Sequence, residues 1–373
     1  MHQSTVEILG PAVTRGYQSA VSLHAHTWHS KETLGFLPGW MAAVPLLGTL
    51  FQRELRQYRL EHGRDLDFER AFWRPPLMPA AVCESEIAQI AGRLDLDPLV
   101  SLTDHDSIEA PLSLRAAATS FEVPVSVEWT VPFDGAVFHI GVHNLPAGEA
   151  PGLLQGFADY TSRPARGRLS ELLSLLHAFP EVLTVLNHPL WNGDVNEDQD
   201  GAALEALLGA NRGWFHALEL NGYRRWSEND VVTRLARQWD LPVVAGGDRN
   251  GRAPNALLNL SHARTFAEFA EEIRVARRSH VVIMPEYLDQ SVREVRAVSE
   301  ILGSDPTLLP EYQHWSQRVF MSCEDGAVRR LVDAWNGSLP YWIRGLVGML
   351  RLMGTAPARP VLWLAMAGGA RWF

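Results

Sequence analysis

Side chains able to hold a metal ion or move a proton recur in this chain at one kind of place, at the ends of short apolar runs. His24 and His26 follow the run 21–23, Asp104 and His105 follow 99–103, and Glu128 follows 123–127. His139 lies inside 137–140, His188 follows 182–186 after Asn187, and Asp248 follows 243–245 after two glycines. Imidazoles combined with carboxylates favour zinc, manganese or iron over calcium or magnesium. In His24-Ala25-His26 an extended backbone turns both rings the same way, because side chains alternate with period two. A carboxylate such as Glu128 can bridge two cations, and a pair roughly 3.5–4 Å apart polarises a phosphoryl oxygen and yields hydroxide near neutrality. A single histidine near a strand is ordinarily a packing residue, which is the reading for His177 and His262. Packing does not account for the gathering of seven of the 14 histidines (His24, His26, His29, His105, His139, His143 and His188) at strand ends.

Parallel strands are what must position these groups. The runs 21–23, 99–103, 123–127, 137–140, 182–186, 217–220, 243–245 and 281–284 are short and rich in β-branched residues. Amphipathic stretches at 84–94, 169–179, 202–208, 229–239 and 266–278 separate them, an alternation that marks βαβ units. In barrels of such units the C-terminal strand ends converge on one face. Residues scattered from position 24 to position 248 would therefore share one pocket. The stretch 193–201, rich in Asn, Asp and Gly, reads as a loop. Residues 34–79, aromatic and proline-marked, read as a helical insertion, either a lid or an ordinary helix pair. The barrel is assigned to 1–285 and a C-terminal, helical extension to 286–373. From 336 onward the sequence has four arginines, no acid, and Trp342, Trp363 and Trp372. Its longest uncharged stretch, 360–370, is too short to cross a bilayer, so it is expected to pack on the barrel or make a weak membrane or partner contact.

Taken in order, Ser22-Leu23-His24-Ala25-His26-Thr27, Leu102-Thr103-Asp104-His105-Asp106, Glu128, His139, Asn187-His188-Pro189 and Gly246-Gly247-Asp248 resemble the motifs of the polymerase and histidinol phosphatase (PHP) family, over residues 20 to 260. The resemblance implies an α/β fold, a distorted (β/α)7 TIM-like barrel holding two or three divalent ions (Zn, Mn or Fe). It also implies hydrolysis of a phosphoester by a metal-activated hydroxide. Carried over residue by residue, His24, His26, Glu128 and Asp248 match the ligands of one ion. Glu128 as bridge, with His139 and His188, matches those of a second. A third site would use His105, one of His29, Lys31 and Glu32, and the position two after Asp248, where this chain departs from histidine with Asn250. Lys31, the only lysine in the sequence, falls where the family has a ligand or a phosphate-facing group, and its ammonium could stand in for a third cation. Arg249 has a similar claim, Arg224 or Arg225 a weaker one. Asp104 or His105 is expected to pass a proton to the leaving group.

Composition narrows the substrate. The 33 basic and 43 acidic residues give a net charge of −10, which leaves no general nucleic-acid footprint; a small phosphorylated substrate is what the resemblance implies, with nucleotide, sugar phosphate, nucleic-acid end and lipid head group all open. Positive charge at the site would come from the ions themselves. With 46% apolar and 20% charged residues, the chain reads as a soluble core-former, not as a disordered, collagen-like or membrane-spanning one. Cys83 and Cys323 lie too far apart in sequence for a disulfide scaffold or thiolate zinc site and suit a reducing compartment. The first residues show no secretory pattern, so a cytoplasmic location is expected. Oligomeric state leaves no trace. Two other readings compete. An amidohydrolase-like enzyme on a similar barrel loses its lysine-carbamate form, since no lysine lies beyond 31. A catalytically degenerate PHP-like binding or regulatory module is favoured by Asn250.

Overall fold

The computed structural model describes residues 3–43, 45–63, 65–117, 122–190, 197–322, 327–330, 332–333 and 339–355. Cys323, Trp363, Trp372, the stretch 360–370 and the first part of the 193–201 loop lie outside these residues. The fold is mixed α/β, with three sheets.

The first sheet has five strands in the order β1 (Gln3–Ile8), β12 (Arg278–Ile283), β11 (Leu257–Ser261), β2 (Ser19–Ser22) and β5 (Asp97–Val100). Pairing is parallel for β1 with β12 and β2 with β5, while β11 runs antiparallel to both its neighbours. The second sheet runs β6 (Val127–Phe133), β7 (Ala136–His143), β8 (Leu183–Asn187), β9 (Ala217–Asn221) and β10 (Val243–Gly246), with β7 antiparallel to β6 and β8. No strand ladder closes into a barrel among the described residues. The βαβ alternation read from the sequence, with its parallel strands, is interrupted by the antiparallel strands β7 and β11. The two sheets instead meet at their edges through single parallel bridges, His105 with Glu128 and Ala25 with Arg249. Backbone bonds flank each junction: Asp106 N donates to Glu128 O at 2.9 Å, and His26 N to Arg249 O at 3.0 Å.

A strand beside a short junction has unpaired amides, and buried side-chain amides satisfy them. Asn259 of β11 accepts from Ala245 N at 2.7 Å and donates to Ala245 O at 2.9 Å, so it replaces a missing neighbour of β10. Its Nδ2 also reaches Val21 O of β2. Around the sheets pack α3 (Pro79–Leu94), α4 (Glu109–Ala116), α5 (Ala150–Ser162), α6 (Arg166–His177), α7 (Glu197–Asn211), α8 (Trp226–Gln238) and α9 (Phe266–Arg274). Trp129 of β6 is fully buried and stacks on Phe157 of α5 at 4.4 Å. Phe266, Phe269 and Ile273 of α9 join Val21, Val185, Ala217 and Val244 in one apolar cluster, which links α9 to both sheets.

Several boundaries differ from the sequence expectation. The run 123–127 is mostly outside the ladder, because Pro124 has no amide hydrogen to donate and pairing starts at Val127. The insertion is not purely helical: α1 (Leu37–Ala43) and α2 (Pro45–His62) are followed by strand β4 (Ala71–Trp73). The C-terminal part likewise has two strands, β13 (Val319–Ser322) and β14 (Val328–Arg330), between α10 (Gln290–Ile301) and α11 (Tyr341–Met353). These segments share the third sheet, in the order β14, β13, β4 and β3 (Glu32–Thr33). Insertion and extension are thus one antiparallel unit, and that unit carries Glu32.

Two histidines inside this frame set its acid tolerance. Burial pushes His143 down to about 3 and His216 down to about 2, while Ser101 Oγ and Thr184 N engage their Nδ1 atoms. Folded chains refuse protons that these side chains take up when unfolded, near an ordinary pKa of about 6.5. Their contribution is therefore complete above that pH and is lost as pH falls below it. Each is expected to lower stability by about 1.4 kcal/mol per pH unit below about pH 6.5. Urea midpoints at a series of pH values should show this slope, and His216→Gln should flatten it; an unchanged slope would remove His216 from the account.

Candidate metal centre

The ends of β2, β5, β8, β9 and β10 and the start of β6 deliver their side chains to one buried spot. Glu128 is fully buried at its centre. Its Oε2 lies 3.1 Å from His24 Nε2, 3.3 Å from His26 Nε2 and 3.3 Å from His105 Nδ1. Its Oε1 lies 3.2 Å from His188 Nε2 and 3.6 Å from His139 Nδ1, and accepts from Asn187 Nδ2 at 2.9 Å. Asp248 Oδ1 stands 3.6 Å from His24 Nε2 and 3.4 Å from His26 Nε2. Glu32, brought by the third sheet, sits 3.5 Å from His26 Nδ1 and 3.4 Å from His105 Nε2.

Three overlapping sets could each hold a cation: His24, His26 and Asp248; His24, Glu128 and His188; His26, His105 and Glu128. One atom tests the fit. Glu128 Oε2 is buried and has no hydrogen-bond partner, although three imidazole nitrogens surround it. An unsatisfied buried carboxylate oxygen is costly, and a divalent ion bound to these donors would remove that cost.

Electrostatics point the same way. Burial raises the pKa of Glu128, but His24, His105 and His139 outweigh it and hold the carboxyl well below its usual range. Asp248 is likewise lowered, against burial, by His24 and His26, and Glu32 by His26 and His105. Burial works against charge on His105, yet Glu128 and Glu32 lift it to about 10. His24 is raised well above its ordinary value by Glu128 and Glu219 in spite of burial. The carboxylates thus favour positive charge at this spot, which a metal ion held by these donors would supply.

The backbone here is strained. His24, His188 and Asp248 have φ of 63°, 26° and 50°, a left-handed region that costs about 1–3 kcal/mol per non-glycine residue. Glu219 of β9 offsets that strain. Its Oε1 accepts from His24 Nδ1 at 2.5 Å, which leaves Nε2 as the ligand atom. Its Oε2 accepts from His188 N at 2.8 Å and from Asn221 Nδ2 at 3.1 Å, and Asn221 Nδ2 also reaches Asp248 Oδ2 at 3.2 Å. Gly246 makes room for it, since a Cβ there would stand 1.6 Å from Glu219 Oε1; one on Gly247 would stand 1.6 Å from Asn255 Oδ1.

Glu219 was absent from the sequence-based set. The signal available was an acid inside the apolar run Ala217-Leu218-Glu219-Leu220, now seen to be a fully buried strand.

Other expected site residues are placed elsewhere. Of the three candidates after His26, Glu32 reaches the cluster, whereas His29 pairs with Glu109 at 2.8 Å. Lys31 is exposed, with its Nζ 5.6 Å from the Phe72 ring centre. Arg249 is wholly buried. It points away, bonding Glu86 Oε1 and Ser85 Oγ at 2.6 Å and two loop carbonyls. Arg249 is thus committed to this buried network. Asp104, also fully buried, accepts from Thr27 N at 2.5 Å and Thr27 Oγ1 at 2.7 Å. Both its oxygens hold the turn after His26, and it is not placed for proton transfer. Asn250 Oδ1 is buried without a hydrogen-bond partner, and its Nδ2 donates to Asp248 O at 3.5 Å.

No family model matches the chain, and no curated protein does. Among solved structures, a Bifidobacterium adolescentis protein described as a candidate metal-dependent phosphoesterase aligns at 15% identity, TM-score 0.33, over 55% of this chain and 92% of its own. An amidohydrolase from Chromobacterium violaceum aligns at 16% identity and TM-score 0.34, over 56% and 93%. PsfC from Pseudomonas syringae aligns at 13% identity and TM-score 0.39, over 74% and 95%. Likeness of this degree assigns no chemistry to the chain; its side chains must do so.

Glu219→Gln keeps the size of the side chain but weakens its grip on His24. Zinc or manganese affinity is expected to fall ten- to a hundredfold, roughly the range for removed partners of metal-bound histidines, and melting temperature to fall as well, since the Gln amide can replace only one of the two accepting oxygens. Competition against a chromophoric chelator measures it, and unaltered affinity would count against Glu219 as the residue that orients His24.

Proposed function

We propose that this chain is a metal-dependent phosphoesterase of the PHP type, in which Glu128 would belong to the ligand sets of two divalent ions. The observation that carries the reading is Glu128 Oε2, buried and unsatisfied among three imidazole nitrogens at 3.1 to 3.3 Å. In this reading His24, His26, Glu128 and Asp248 hold one ion, and Glu128, His139 and His188 the other. His26, Glu32 and His105 form a third, smaller group of donors. Divalent ions held there supply Lewis-acid polarisation of a phosphoryl oxygen and acidify a water.

The chain's own residues do the rest. Glu219 keeps His24 in one tautomer, and Asn221 ties Asp248 to the same carboxylate. Asp248, His105, Glu32 and His139 are the ligands with side chains 11 to 19% exposed, while Glu128 and His26 have none. A substrate therefore enters from the side of those four. His105, at that mouth and paired with Glu32, is the residue that hands a proton to the leaving oxygen, since Asp104 is spent on Thr27. Arg224 lies within the field of Asp248 and Glu219 and supplies positive charge there. The two sheets and their bridges are, in this reading, the halves of a distorted seven-stranded barrel running β2, β5, β6, β7, β8, β9, β10. A small phosphorylated substrate and a cytoplasmic setting complete it.

The test is a screen of phosphate monoesters and diesters against carboxamides and lactones, with manganese, zinc or iron added. Phosphoester turnover is expected, and His26→Ala and Glu128→Gln are each expected to lower kcat/KM by about a thousandfold or more, equivalent to about 4 kcal/mol of transition-state stabilisation. Turnover of amides alone would move the chain to the amidohydrolase reading. A wild-type chain that takes up no metal would make it a binding module.

A further inference from the structure

One face of α11 is used inside the protein. Val347 is buried, and Trp342 packs on the core of the insertion while its Nε1 donates to Glu54 Oε1 at 3.2 Å. Among the described residues nothing covers the opposite face. Tyr341 is 87% exposed, Leu352 67% and Met349 50%, and their spacing over the helix puts them on one side, with Gly345 and Gly348 between them. Arg344 and Arg351 flank this side. With His314, Trp315 and Val347 they also line a cavity of about 430 Å³.

The charge pattern selects the occupant. From residue 339 to the last, the sequence holds four arginines, three tryptophans and no acid, within a chain of net charge −10. A protein partner would ordinarily be met by charges of both signs. A long acid-free segment of arginines and interfacial aromatics beside an apolar stripe instead matches an anionic lipid surface. Among the described residues no helix is long and apolar enough to cross a membrane, so the contact is with the surface.

We propose that α11 seats the protein on anionic lipid: Tyr341, Met349 and Leu352 enter the apolar boundary, and Arg344 and Arg351 receive headgroup phosphates at the mouth of the cavity. This does not depend on the metal centre. The full chain is to be sedimented with vesicles of phosphatidylcholine alone and of phosphatidylcholine mixed with phosphatidylglycerol. Binding is expected only to the mixed vesicles and to disappear at high salt. Arg344→Gln and Arg351→Gln should each weaken it about fivefold, and Leu352→Gln about tenfold. These side chains are largely at the surface, and circular dichroism should confirm that the variants fold. The proposal is overturned by equal binding to neutral vesicles or by no binding at all. Self-association abolished by Leu352→Gln would make a second copy the occupant. Release from vesicles by inorganic phosphate would show that the cavity takes a free anion.

Discussion

The structure is organised around a carboxylate that cannot be left as it is. Glu128 is fully buried, and one of its oxygens has imidazoles on three sides but no hydrogen bond. Such an atom in a low-dielectric interior needs a positive charge. The raised pKa values of His24, His26 and His105 record that demand. The same demand explains why three backbone positions at strand ends tolerate a left-handed φ. Only there can His24, His188 and Asp248 turn inward together, and Glu219 and Asn221 hold them once turned.

Bringing six strand ends to one spot has a structural consequence. The two sheets meet at single bridges and not along full ladders, so buried backbone groups at the junctions lack partners. Polar side chains fill those places. Asn259 pairs both ways with Ala245, and Asn255 bonds Ser22 Oγ and Leu23 O. Glu86 collects Ser22, Asn255 and Arg249 in one buried network. Arg249 is therefore part of the frame. Its guanidinium joins the loop after Asp248 to α3, and removing one partner of a buried pair typically costs about 3–5 kcal/mol.

This division explains what the sequence revealed. Apolar runs ending on histidine or acid made most of the central strands visible, and the order of those endings gathered His24, His26, Glu128, His139, His188 and Asp248, which the structure brings together. Strands of mixed polarity did not announce themselves: β1 is half exposed, and β11 is interrupted by Asn259, whose amide serves a junction that no local pattern encodes. Arg249 belongs to the frame for a reason that residue type and position near a motif do not carry: they say nothing about the direction of a long side chain, and its guanidinium is bound to Ser85 and Glu86. Glu219 was overlooked for the converse reason, since a strand residue with no histidine beside it gains its role only from the neighbours that folding supplies.

The third sheet was the least legible, because its strands come from three distant parts of the chain. Its effect on the site is nevertheless direct. Glu32 belongs to β3, a strand of two residues paired only with β4, and β4 is in turn paired with β13. A strand that short has little stability of its own. Its place near His26 and His105 therefore rests on β4, and through β4 on a segment nearly 300 positions away in the sequence. Trp28 lies tilted against Tyr312, with ring centres 4.8 Å apart, and under the Arg74 guanidinium at 5.0 Å, so the turn that follows His26 is clamped by the same unit. The insertion and the C-terminal part are thus a second wall of the centre. Of the groups around Glu128, the one acid that does not come from the end of a central strand is the one whose position this wall decides.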